Sequence, residues 1–183
     1  MRTLLQFLLA LTIAALVVLG IRSLAFTVYT VEGNELAPEL LQGDHILVNR
    51  WSYGLRTGSQ GGLFPYGRIL GRKISRGDIV AFDSPLDSLP GLFVCRCTAL
   101  PGDTIRIDSD VMMIPGREAT CAAEDYYWME SLSPVSQIDS RVLGPVPESC
   151  IVGRVCLVLY SHDVSYPLYD GYRSDRFLLR IEP

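Results

Sequence analysis

Candidates for chemistry are few and of mixed type. Cys95, Cys97, Cys121, Cys150 and Cys156 make an odd set, so at least one thiol has no partner within the chain. Cys95 and Cys97 alternate onto one side of any strand that carries them, at a separation near the upper limit for a disulfide. A Cys-x-Cys pair without a second pair is weak evidence for zinc, and packed thiols are the expectation. His45 and His162 are too few for a histidine-rich metal site, and ordinary strand or loop residues are the expectation. Lys73 is the only lysine. It could serve as a base only beside a serine such as Ser52, Ser75 or Ser84 in a dry cleft, and a solvated loop lysine is the expectation. Arg76-Gly77-Asp78 has the form of an adhesion triplet, but it opens an apolar run and reads as a strand entry.

The elements that must position these groups follow from the apolar pattern. From Leu4 to Ile21 the chain is apolar except for Gln6, Thr12 and Gly20. With Arg22 to Phe26 added, this matches the roughly 20 residues that a helix needs to span an apolar core of about 30 Å. Arg2 precedes the run, while Glu32, Glu35 and Glu39 follow it, so a cytoplasmic N-terminus is expected. A cleaved signal peptide ending near Ser23-Leu24-Ala25 is the competing reading. Residues 1–26 are thus expected to be a membrane anchor and flank, and residues 27–183 one exported domain.

In that domain short runs of Val, Ile, Leu and Tyr are broken by Gly, Pro, Ser and Asp, which favours antiparallel strands. Strands are expected at 26–31, 45–49, 78–82, 92–99, 104–107, 126–129, 151–160 and 177–181. The Gly-, Arg- and Ser-rich region 54–73 reads as a surface loop. The net charge of −4 and the absence of a basic stripe exclude nucleic acid as the main partner.

Several motifs occur in a telling order. Val31-Glu32-Gly33-Asn34-Glu35-Leu36-Ala37-Pro38-Glu39-Leu40-Leu41-Gln42-Gly43-Asp44 resembles the nucleophile segment of type I signal peptidases, Gly-x-Ser-Met-x-Pro-Thr-Leu-x-x-Gly-Asp. His45 to Gly54, Arg76 to Phe82, and Val94 to Asp103 with its Leu100-Pro101-Gly102-Asp103 turn resemble the blocks that follow. Tyr126 to Met129, Asp139-Ser140-Arg141, Gly144 to Pro147 and Ile151 to Arg154 continue the likeness. Between them, Glu130 to Ile138 lacks the family's Gly-Asp start and Asn-rich turn.

The resemblance implies a mainly β fold of twisted antiparallel sheets around a peptide cleft, with one N-terminal transmembrane helix and no cofactor or required metal. It places Glu35 at the nucleophile position and Cys95 at the general-base position. In the family route a desolvated, neutral lysine takes the proton from the attacking serine. Glu35 offers no hydroxyl and Cys95 no amine, so no catalytic residue is assigned with both roles intact and enzyme activity stays open. Glu35, Leu36, Pro38 and Cys95 are the expected cleft residues, and Asp139 with Arg141 an expected structural ion pair.

The leading expectation is a catalytically degenerate, membrane-anchored homologue that binds an extended peptide, a signal peptide or a membrane protein partner. One alternative is an active, divergent signal peptidase I that removes signal peptides from exported proteins. Another is a non-catalytic structural membrane subunit. The implied location is the bacterial inner membrane, single-pass, with the main domain periplasmic or extracellular.

Overall fold

A computed structural model describes residues 2–32, 37–57, 66–107, 110–131, 138–167 and 169–181. It opens with helix α1 (Arg2–Ala25), which runs directly into strand β1 (Phe26–Thr30). Strands β2 (Asp44–Asn49), β3 (Leu55–Thr57), β4 (Gly67–Ile69), β5 (Ile79–Asp83) and β6 (Leu92–Ala99) follow. Next come β7 (Thr104–Ile107), β8 (Asp110–Met113), the short helix α2 (Arg117–Thr120) and β9 (Tyr126–Glu130). The chain then forms α3 (Ser140–Leu143), β10 (Val146–Pro147), β11 (Ile151–Ser161) and β12 (Leu179–Arg180).

One antiparallel sheet carries the molecule, in the order β1-β2-β11-β5-β6-β9-β10, with β12 also paired to β11. β11 can serve three neighbours because it is 11 residues long. One of its edges pairs with β2 from Arg154 to Ser161, and the other is shared between β5 near Ile151 and β12 near Leu157. Gly153 permits the crossing, since a Cβ there would lie 2.9 Å from the Cα of Arg50.

The alternation of side chains along a strand builds two apolar layers, one on each face of the sheet. From β5, Val80 and Phe82 enter a layer with Cys95, Cys97, Tyr127, Met129 and Ile151. Ile79 and Ala81 enter the opposite layer with Leu40, Ile46, Val48, Val155 and Val158. β5 is therefore buried on both faces, which explains its unbroken apolar sequence. The β7–β8 hairpin covers a smaller cluster of Ala99, Ile114 and Trp128.

The mainly β, antiparallel expectation agrees with this architecture, but the transmembrane expectation does not. Among the described residues no helix is long and apolar enough to cross a membrane. The single-pass anchor, the membrane as a partner, the inner-membrane placement and the membrane-anchored form of the function are corrected accordingly.

The region 54–73 also departs from a plain loop, because β3 and β4 pair within it. Their anchor is a charged side chain. Arg68, 4% exposed, donates to the Ile151 carbonyl at 2.6 Å and the Glu148 carbonyl at 3.0 Å.

Candidate functional site

β6 delivers Cys95, Cys97 and Ala99 to the buried face and Arg96 to the other. Cys95 is 2% exposed, and its Sγ lies 4.0 Å from the Ile138 carbonyl oxygen, to which the thiol donates. It borders a cavity of about 280 Å³ whose other walls include Tyr29, Val31, Ile46 and Val94. Glu32 and Ser131 bring a carboxylate and a hydroxyl to the same cavity. The cavity thus lies between the end of β1 and the first half of β6, where the matched segments converge.

Glu35 and Leu36 fall outside the described residues. Pro38 is described; it is exposed, follows a cis peptide bond, and is not among the cavity walls. Asp139 caps α3 by accepting the Arg141 amide at 2.8 Å, and Arg141 Nε stands 3.9 Å from Asp139 Oδ2. That contact is long and single, so the cap is the stronger of the two links.

A clasp on the segment after Glu35 went unread in the sequence. Both Glu39 carboxylate oxygens lie 2.6 Å from Arg96 Nη2. Arg176, far along the chain, donates to the Glu39 carbonyl at 2.7 Å and to Asp44 Oδ2 at 2.6 Å. Asp44 Oδ2 also accepts the Leu41 amide at 2.9 Å, closing the turn from below. Gly43, at φ 88°, completes it, because a Cβ there would collide with the His162 carbonyl. The one available signal was Glu39 standing where the family pattern has Thr. Arg96 Nε is buried without a hydrogen-bond partner, so this pairing is not fully satisfied.

Other candidates are structural in their surroundings. Asp78 of the Arg-Gly-Asp triplet is buried and accepts Tyr53 Oη at 2.9 Å and the Ser75 amide at 3.1 Å. Burial first, and then the Asp78 charge, push the Tyr53 phenol far above its ordinary range. Burial, again followed by Asp78, pushes the Cys97 thiol up to about 12, which keeps it protonated and inert. Lys73 is 82% exposed and 3.5 Å from Glu118, so it is not a desolvated base. None of the five cysteines forms a disulfide. Among the described residues no three His, Cys, Asp or Glu side chains are grouped to hold a metal ion.

Comparison with known proteins gives one family. Residues 4–133 match the family described as signal peptidase, peptidase S26. The signal peptidase I of Rickettsia typhi (strain ATCC VR-144 / Wilmington) is 32% identical over 108 residues, covering 56% of this chain and 40% of that protein. The signal peptidase I of Buchnera aphidicola subsp. Acyrthosiphon pisum (strain APS) is 35% identical over 88 residues, 48% of this chain and 26% of that protein. Mitochondrial inner membrane protease subunit 1 of Xenopus tropicalis is 31% identical over 99 residues, 54% of this chain and 57% of that protein. The match therefore spans less than two thirds of each relative. With the family match covering more than half of the chain and running through β1, β2 and β6, the strands that line the cavity, this chain belongs to the peptidase S26, signal peptidase family.

Proposed function

We propose that this chain is a divergent signal peptidase I, which takes the extended segment of an exported protein's signal peptide into the cavity beside Cys95 and cleaves it. The observation that carries the reading is the cavity itself. It is built from β1 and β6, two strands within the matched region, and it brings a thiol, a hydroxyl and a carboxylate together. An extended chain entering beside β1 can be read through backbone pairing and side-chain pockets.

We also propose that both positions of the family's catalytic pair are substituted, by Glu35 and Cys95. Proton transfer from a serine to a neutral lysine is then absent at these positions, and cleavage runs from a rearranged site. Besides Thr30, whose hydroxyl is paired with His45 Nδ1 at 3.1 Å, the nucleophile types on the cavity wall are the Cys95 thiol and the Ser131 hydroxyl. Attack by Cys95 sulfur on the scissile carbonyl would form a thioester and release the amine, which leaves with the thiol proton. Water then hydrolyses the thioester and restores the thiol. In this reading Glu32, a carboxylate on the cavity wall, relays the proton.

The test is cleavage of a fluorogenic signal peptide by the purified full chain, with a serine-containing member of the family as positive control. Slow cutting at one bond is expected. Its loss in Cys95→Ala assigns the thiol, and its loss in Ser131→Ala alone assigns the hydroxyl. An intact peptide beside a cut control overturns the proposal.

A further inference from the structure

The Glu39–Arg96 pair has features that stability does not explain. Its side chains are 38% and 31% exposed, so the attraction between them is screened and contributes little to folding. Against that stands Arg96 Nε, an enclosed N–H with no hydrogen-bond partner among the described residues. A buried donor left without a partner costs at least as much as an exposed ion pair contributes. The guanidinium is nevertheless held tightly, with Nη2 2.6 Å from both Glu39 carboxylate oxygens. Local arrangements that bring no net stability are concentrated where a function retains them.

The place of the pair says what that function is. Arg96 follows Cys95 on β6. Glu39 precedes Leu40, which is fully buried and packs in one layer with Val31 and Ile46. Val31 and Ile46 are walls of the Cys95 cavity, and so are Val94 and Cys95 on β6. The ion pair therefore ties the side of the cavity built on β1 and β2 to the side built on β6. Arg176 and Arg173 also grip the segment 37–44, donating to the Glu39 and Gln42 carbonyls at 2.7 and 3.1 Å, but they come from the C-terminal part of the chain. Among the described residues, Glu39–Arg96 is the polar link between that segment and β6. Neither residue is a cavity wall, so the pair acts through the walls it joins. We propose that Glu39 and Arg96 are positioning residues, which set the spacing of the two sides of the cavity and so the aim of its nucleophile at the scissile carbonyl. This role rests on the reading of the chain as a divergent signal peptidase. A placement error of about 1 Å costs about two orders of magnitude in rate, far more than the pair contributes to folding.

Two measurements on the full chain test this: cleavage of a fluorogenic signal peptide, and alkylation of the thiols by iodoacetamide, read by mass spectrometry. Glu39→Gln is expected to lower kcat by about two orders of magnitude, with KM nearly unchanged and the urea midpoint little moved. Glu39→Arg combined with Arg96→Glu remakes the pair with its charges exchanged and is expected to recover most of the lost kcat. Glu118→Gln breaks the exposed Lys73–Glu118 contact away from Cys95, and should leave both constants as they are. In the alkylation arm Glu39→Gln should let iodoacetamide reach Cys95, which is 2% exposed, severalfold faster, while Cys97 stays unmodified. An unchanged kcat in Glu39→Gln, a urea midpoint that falls in step with kcat, or an exchanged pair as slow as the single variant would each overturn the positioning role and leave the cleavage reading standing. If the unmodified chain cuts nothing, the cleavage reading fails by itself, and the alkylation arm decides the pair: an unchanged Cys95 rate in Glu39→Gln then overturns it.

Discussion

Removing the Arg176 guanidinium should cost this fold far more than breaking a half-exposed ion pair. In Arg176→Met the hydrocarbon length is kept, but Asp44 loses its partner at 2.6 Å and the Glu39 carbonyl loses its donor at 2.7 Å. The Asp44 side chain is 0% exposed and that of Arg176 11%, so the stranded carboxylate cannot turn to water. Breaking a buried pair by removing one partner typically costs about 3–5 kcal/mol. With a domain stability of about 5–15 kcal/mol, that is a large share of the total. At an m-value of about 2 kcal/mol per molar urea, the midpoint should fall by roughly 1.5–2.5 M. The internal control is Glu39→Gln, which breaks a pair whose side chains are 31% and 38% exposed. That pair is screened, and its loss should cost no more than about 1 kcal/mol. The assay is urea denaturation of both variants followed by circular dichroism. Equal, small shifts in the two would refute the argument that burial makes the Arg176–Asp44 link dominant. Peptide cleavage should also weaken in Arg176→Met, because the segment from residue 37 to Asp44 loses the clasp that fixes it.

Three further outcomes follow from the core and its charges. Phe82→Ala, which empties a fully buried site, should destabilise by about 3–5 kcal/mol in the same urea assay. The Leu100 amide first, and then Arg76, hold the Asp103 carboxyl below its ordinary range. Its stabilising share is present above the ordinary aspartate pKa and lost as pH falls through the lowered one, so Asp103→Asn should flatten the acid limb of stability against pH. Cys97 carries the opposite sign: its thiol stays protonated in the fold up to about 12, so stability should fall as pH rises from 9 toward 12. Cys97→Ala should reduce that alkaline loss, and alkylation under native conditions should modify exposed Cys121 well before Cys97.

Where a short apolar run was bounded by turn residues, the strand could be placed from the residues themselves. β6 falls on Leu92–Ala99 and β7 on Thr104–Ile107, as the apolar runs imply. β3 and β4 were hidden because each is three residues long and held by Arg68 rather than by an alternating apolar face. β10 escaped notice for a similar reason: it is two residues long and includes Pro147. The helix was legible as a helix, but a run of apolar letters did not by itself establish a membrane crossing. At the site, Cys95 could be located by its register against the Leu-Pro-Gly-Asp turn. The clasp could not, because Arg96 and Glu39 are 57 residues apart and Arg176 and Asp44 are 132 apart. Such pairings leave no local pattern.

The most direct test of the account is a mass spectrum of a signal-peptide segment after incubation with the full chain. The account predicts two fragments from one broken peptide bond, formed by the unmodified chain and lost when the responsible cavity nucleophile, Cys95 or Ser131, is replaced by alanine. An intact peptide, at concentrations where a serine-containing family member cuts to completion, would contradict it.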